Sequence, residues 1–192
     1  LLRRRWRIRR TEQLPRSRMS TPLLPTVVSH EVIAEMCRLM QTTPLEGCIV
    51  EIGVYQGGSL ERLAYNAQNR PVFGYDTFTG IPFQDEGDSH RVGDFGDTNY
   101  ERVKSQLPGV TLIQGVFPES AIEMPPVSFA HIDCDQYRSV KGCIEYLSPK
   151  MLPGGILWFD DYGCLDSANR AVDEAFGDRV ERVIAGKAIV RF

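Results

Sequence analysis

The sequence predicts an α/β fold: a seven-stranded, mostly parallel sheet with helices on both faces and a C-terminal hairpin. Three observations carry the prediction. Apolar runs alternate with amphipathic stretches along the chain. A glycine-rich turn, Gly53 to Ser59, follows the first apolar run. Acidic residues close three of the runs, at Asp76, Asp133 and Asp160, and the carboxyl ends of parallel strands are where such sheets gather ligands.

Residues 29–41 carry apolar side chains at 32, 33, 36, 37, 39 and 40, the spacing of a helix buried on one face. Residues 48–53 read as the first strand, 58–69 as a helix with Ser59 near its start, and 71–76 as the second strand. A polar stretch, 79–97, is rich in Gly and Asp and long for a compact domain, a length typical of functional lids. A helix over 98–106 and strands over 110–114 and 127–133 follow. Residues 138–147 read as a helix stopped by Ser148-Pro149, 155–160 as the fifth strand, and 166–176 as a helix. Residues 180–184 and 187–192 form the hairpin, turning at Ala185-Gly186. The pattern amounts to five strand–helix units and a terminal pair.

Length and charge narrow the function. A chain of 192 residues suffices for one domain with a real core. The formal charge of −3 is uneven: residues 1–18 hold eight Arg and one Glu, +7, which leaves −10 for the rest. The Arg-rich stretch reads as a weakly ordered tail or an over-extended start, and 19–192 as a single domain. An acidic body argues against nucleic acid as partner. No run approaches the roughly 20 apolar residues that cross a bilayer. The five cysteines form no C-x-x-C and read as reduced core thiols of a cytoplasmic protein.

Two acidic stretches stand out, His131-Ile-Asp133-Cys-Asp135 and Trp158-Phe-Asp160-Asp161-Tyr162. Carboxylates crowded without an adjacent Lys or Arg are costly unless a cation sits among them. In a parallel sheet the strands that carry them are neighbours, so the four acids converge. They suit a hard, oxygen-preferring ion such as Mg2+; the alternative is one acid capping a helix and the others solvated. Asp133 and Asp135 share a strand face if the strand runs that far.

The turn from Gly53 to Ser59 leads into a helix whose free N–H groups suit a carboxylate or phosphate, although a plain structural turn has the same composition. Tyr55 stands where the dinucleotide fingerprint needs its second glycine. Asp76 is placed to hold ribose hydroxyls or to cap a turn. His30 reads as a helix cap, His90 as a residue of the substrate entrance, and His131 as a core or a functional histidine.

Taken together, Val50-Glu51-Ile-Gly53-Val54-Tyr55-Gln-Gly57-Gly58-Ser59, Tyr75-Asp76-Thr77-Phe78-Thr-Gly80-Ile-Pro82, Gln114-Gly115-Val-Phe117, Ile132-Asp133-Cys-Asp135-Gln-Tyr137 and Asp160-Asp161-Tyr162-Gly163 resemble the macrocin O-methyltransferase type of class I S-adenosylmethionine-dependent methyltransferases. Those enzymes methylate sugar hydroxyls of macrolide and aminocoumarin antibiotics with a divalent metal. The resemblance implies a Rossmann-like methyltransferase domain. It implies metal ligands at Asp133, Asp160 and Asp161, and Asp135 as general base. It implies cofactor contacts at Glu51, Gly53, Val54, Tyr55, Gly57, Gly58, Ser59, Asp76, Thr77, Phe78, Gly80, Gly115 and Phe117.

The function so implied is O-methylation of a hydroxyl on a small molecule, a sugar or glycosylated metabolite, with S-adenosyl-L-methionine and Mg2+ or another divalent cation. The alternatives are an inactive binding protein of the same fold and a catechol-type methyltransferase. The segment between Met19 and the first strand is brief, which leaves room for a homo-oligomer in which a neighbouring subunit completes the acceptor side.

Overall fold

Strand order in the sheet is β3-β2-β1-β4-β5-β7-β6. The structure is a computed structural model that describes residues 24–192; the Arg-rich stretch 1–18 lies outside the described residues. The elements run α1 (His30–Met40), β1 (Cys48–Ile52), α2 (Gly58–Tyr65), β2 (Val72–Asp76), α3 (Tyr100–Gln106), β3 (Thr111–Gln114), β4 (Val127–Ile132), α4 (Tyr137–Leu147), β5 (Met151–Phe159), α5 (Asp166–Phe176), β6 (Glu181–Arg182) and β7 (Ala188–Arg191). Strands β1 to β5 pair in parallel, and β7 joins β5 and β6 antiparallel. The expected seven-stranded sheet and C-terminal hairpin are both present.

The alternation within the strands divides the core in two. Ile49, Phe129, Ile156, Trp158 and Ile189 face a cluster built with α1, α2 and Val103 of α3. Val50, Ile52, Ala130, Ile132, Leu157 and Phe159 face the opposite cluster, built with α4 and α5. Strands β1 and β4 are buried along their whole length, as central strands covered on both faces must be.

No helix joins β3 to β4; residues 115–126 cross between sheet positions as turns and extended chain. Three details differ from the sequence reading. Ser29, not His30, caps α1, its Oγ accepting from the N–H of Val32. Strand β5 begins four residues earlier than expected, at Met151, with a register shift in its pairing to β4. All five cysteines are free thiols, but Cys164 is exposed and Cys134 half-buried, so they are not all core residues. Among the described residues no helix is long and apolar enough to cross a membrane.

Candidate active site

Strand β1 lies between β2 and β4, and the chain leaves it in opposite senses on the two sides, so a crevice opens at the carboxyl ends of these strands. There the structure has a cavity of about 360 Å3. One wall carries Gly53, Tyr55, Asp76, Thr77 and Gly80, and Gly115 and Phe117 also line it. The other wall carries all four acids of the two acidic stretches: Asp133, Asp135, Asp160 and Asp161.

Gly53 brings these walls together. Its φ is +89°, and a Cβ there would stand 1.6 Å from the carbonyl oxygen of Asp133. No side chain fits, so glycine is what lets the end of β1 touch the end of β4. The N–H of Asp133 donates to the carbonyl of Ile52 at 2.9 Å, which fixes the contact.

Asp76 shapes the first wall. Its Oδ2 accepts from the N–H of Tyr55 at 2.8 Å, and its Oδ1 accepts from the N–H of Phe78 at 2.6 Å. Tyr55 and Phe78 both have positive φ, 50° and 53°, a region that non-glycine residues seldom occupy. The carboxylate therefore holds two strained turns in place, and each oxygen keeps a lone pair for a hydroxyl.

The expected cofactor residues divide. Gly53, Tyr55, Asp76, Thr77, Gly80, Gly115 and Phe117 line the cavity. Glu51, Val54, Gly57, Gly58, Ser59 and Phe78 do not. Val54 and Phe78 are buried in the core. A Cβ on Gly58 would meet the carbonyl oxygens of Leu24 and Pro25, and its N–H donates to Pro25 at 3.1 Å. The amino end of α2 is thus covered by residues 24–26 of the chain itself. Those residues lead to Val27 and Val28, which line the cavity.

The expectation that β4 carries Asp133 and Asp135 on one face needs correction, because β4 ends at Ile132. Asp135 reaches the cavity through a turn in which its own φ is 61°. Its N–H donates to Asp161 Oδ2 at 2.8 Å, and its carbonyl accepts from Ser167 Oγ at 2.8 Å.

Electrostatics split the four acids. Burial raises Asp133 well above the usual carboxylate range, and the charges of Asp161 and Asp160 raise it further. Asp161 is pushed up to about 7, by burial and by Asp135. Asp135 is pushed up to about 6, by burial and by the charges of Asp160 and Asp94. Asp160 goes the other way: His131 and Lys187 outweigh its burial and hold it at about 2. Three acids resisting ionisation side by side are a donor set short of positive charge. One carboxylate oxygen each from Asp133 and Asp160 lies within 4.8 Å of the other and of a His131 ring nitrogen. Hard oxygen donors, convergent and under-neutralised, fit a divalent cation. Asp133 and Asp160 converge with His131, while Asp161, the third expected ligand, lines the same cavity outside that group; these carboxylates are the groups that could hold a cation.

A family model described as macrocin O-methyltransferase (TylF) matches residues 28–182. The chain belongs to the macrocin O-methyltransferase family. It is 29% identical over 154 residues to a Streptomyces olivaceus enzyme, 8-demethyl-8-(2,3-dimethoxy-alpha-L-rhamnosyl)-tetracenomycin-C 4'-O-methyltransferase, a match covering 68% of this chain and 58% of that one. It is 29% identical over 150 residues to demethyldecarbamoylnovobiocin O-methyltransferase of Streptomyces niveus, covering 67% and 57%. The chain thus spans less than two thirds of these relatives' length. The solved structure of the O-methyltransferase NovP superposes with a TM-score of 0.77 at 21% identity, covering 86% of this chain and 81% of that one, and has the same fold.

In this member of the macrocin O-methyltransferase family, sequence reasoning missed Lys187 and did not join Glu51 and His131 to the acids. Glu51, expected near the cofactor, is fully buried, and its Oε1 is 2.6 Å from His131 Nδ1. His131 Nε2 points at Asp160 Oδ1, 3.6 Å away. Burial opposes charge on His131, but Asp160 and Glu51 overcome it and raise its pKa well above the ordinary value. Lys187, from the turn before β7, places Nζ 3.0 Å from Asp160 Oδ2. Positive charge flanked by negative on neighbouring strands leaves no local sequence signal.

The polar loop 79–97 folds over the same site. Asp85 accepts two hydrogen bonds from Arg138, at 2.9 and 2.8 Å, and the guanidinium lies 3.8 Å from the centre of the Phe83 ring. The side-chain amide of Gln136 donates to the carbonyl of Phe83. Tyr55 donates to the carboxylate of Asp97 at 2.8 Å. His90, expected at the entrance, does line the cavity, with Nε2 3.4 Å from Asp135 Oδ1.

Proposed function

We propose that this chain is an S-adenosyl-L-methionine-dependent O-methyltransferase acting on a sugar hydroxyl of a glycosylated small molecule, aided by a divalent cation. The observation that carries the reading is the meeting of the four aspartates and the Asp76 wall in one cavity. Family membership supports the transferred group. The two Streptomyces relatives, whose names specify O-methylation of a rhamnosyl-tetracenomycin and of demethyldecarbamoylnovobiocin, support the acceptor class.

The roles follow from position. Asp76, with Tyr55, Thr77 and Gly80 around it, would take the ribose and its flanking groups; the backbone at Gly53, which lines the cavity, would lie along the methionine end. S-adenosylmethionine supplies an electrophilic methyl group on sulfur. A divalent cation at Asp133, Asp160 and Asp161 would lower the pKa of the acceptor hydroxyl and fix its oxygen. Asp135 accepts the hydroxyl proton. Without a bound cation, burial and the charges of Asp160 and Asp94 push it up to about 6, so it is ionised at neutral pH and free to take the proton. Its carboxylate is held by a backbone anchored at both N–H and carbonyl, so little ordering remains for the reactive encounter. Loop 79–97, tied to α4 by Arg138, excludes water from that side.

The test is calorimetric titration of S-adenosylmethionine into the chain, followed by transfer of a labelled methyl group to a panel of glycosides, with Mg2+ and with a chelator. Binding of the cofactor with chelator-sensitive transfer is expected. Failure to bind the cofactor would exclude the enzyme reading; transfer untouched by chelator would exclude the metal.

A further inference from the structure

Lys187 is the feature of the site that neither the resemblance nor the proposed roles use. It lies past residue 182, where the family match ends. Its side chain is only 14% exposed. Burying an ammonium is costly unless it is paired, and its partner is Asp160, at 3.0 Å. The backbone around it is built to hold it there. The N–H of Val183 donates to the carbonyl of Lys187 at 2.8 Å, and the N–H of Lys187 donates to Ile184 at 3.1 Å. Ala185, with φ 54°, and Gly186, with φ 77°, reverse the chain between them. This turn is pressed against the loop that carries the acids: a Cβ on Gly163 would come within 2.6 Å of the Gly186 carbonyl oxygen.

We propose that Lys187 is a resident counter-ion of the acidic cluster that weakens and so sets the affinity of the site for its divalent cation. The inference rests on the metal reading above. Each oxygen of Asp160 already faces a nitrogen, Oδ1 toward His131 and Oδ2 toward Lys187. A cation shared by Asp133, Asp160 and Asp161 must therefore bind beside a fixed ammonium that draws on one of its own ligands. Like charges a few ångströms apart in a partly buried site repel strongly. Without a metal, the same ammonium offsets part of the repulsion among the acids. Asp133 and Asp161 have no salt-bridge partner of their own among the described residues. Lys187 thus stabilises the metal-free site at the expense of the metal-bound one, which favours reversible exchange of the ion.

The experiment is titration of Mg2+ alone into the wild-type chain, Lys187→Met and Lys187→Arg at about pH 8, by calorimetry and by thermal melting. Lys187→Met should bind Mg2+ at least about tenfold more tightly, melt lower without metal, and gain more from its addition. Lys187→Arg, which keeps the charge, should return both readouts toward wild type. A role in packing alone would lower the melting temperature and leave Mg2+ affinity unchanged. Unchanged or weaker affinity in Lys187→Met, with wild type binding, overturns the role of Lys187 only. Absence of Mg2+ binding in every variant overturns the metal reading and this inference with it. Should Lys187→Met not fold, Lys187→Gln, which retains N–H donors for Asp160 without charge, gives the same comparison.

Discussion

Asp161 Oδ2 accepts a hydrogen bond from the backbone N–H of Asp135 at 2.8 Å. The bond joins the loop after β5 to the loop after β4, so the two acidic stretches form one unit. It runs through the backbone of Asp135 and leaves that residue's carboxylate uncommitted to Asp161.

A change confined to that carboxylate should therefore separate chemistry from binding. Asp135→Asn keeps the backbone bond and the shape while removing the proton acceptor. Methyl transfer is expected to fall about 10²–10⁴-fold, with affinities for S-adenosylmethionine and Mg2+ within about twofold of wild type, measured by single-turnover transfer and calorimetry. A matching loss of cofactor affinity would refute the assignment of Asp135 as base.

Acid–base linkage gives a second prediction. Asp135 and Asp161 titrate in the fold at about 6 and about 7, above an unfolded value of about 3.9. A carboxyl group raised by folding adds stability that is complete below about pH 4 and is lost as pH rises through the folded value. Asp160, held at about 2, contributes in the opposite sense: its share is present above about pH 4 and is lost on acidification. The metal-free chain should lose thermal stability from about pH 5 to about pH 8, and Mg2+ should restore it. The Mg2+-induced rise in Tm should accordingly grow across that interval; a rise equal at both ends contradicts the charge distribution described.

Gly53 offers a test of how the walls are joined. Gly53→Ala would set a methyl group against the backbone of Asp133 at a φ that alanine avoids. The expected loss is at least about 3 kcal/mol in urea unfolding. In whatever fraction folds, Mg2+ affinity should fall as well, because the displaced neighbour is a proposed ligand. Wild-type Mg2+ affinity in a folded variant would show that the close approach is not what positions Asp133.

Loop 79–97 can be loosened from outside. Arg138 and Asp85 are both about half exposed, so their ion pair is worth no more than about 1 kcal/mol. Arg138→Ala should leave the global melting temperature almost unchanged. It should raise the rate of limited proteolysis within 79–97 several-fold and raise KM for the acceptor more than it lowers kcat. Unaltered proteolysis would mean that the loop is held chiefly by its other ties, Gln136 to Phe83 and Tyr137 to Asp88 on the α4 side and Tyr55 and Gln56 to Asp97 on the other.

Much of this architecture was legible in the residues. Strands β1, β4 and β5 show as apolar runs because both faces of a central parallel strand are covered, and their acidic endings follow from where such strands stop. The glycine of the first turn also showed, although its reason did not: Gly53 answers to the carbonyl of Asp133, about 80 positions along the chain. Gly57 and Gly58 looked equally like ligand-binding glycines, yet they accommodate Leu24 and Pro25. Composition records that a side chain is missing, not which neighbour takes the space. The Glu51–His131–Asp160–Lys187 series was hidden for a related reason. Its members sit on or beside four strands and become neighbours only when the sheet assembles.

Residues 24–26 link the covered amino end of α2 to the wall of the cavity. The Leu24 N–H is tied to Glu61 at 2.7 Å, and Val27 and Val28 then run along the mouth of the cavity. The charged machinery belongs to strand ends on the far side. A change in the stretch ahead of Ser29 therefore reshapes a wall of the cavity and leaves the strand ends that carry the four aspartates untouched.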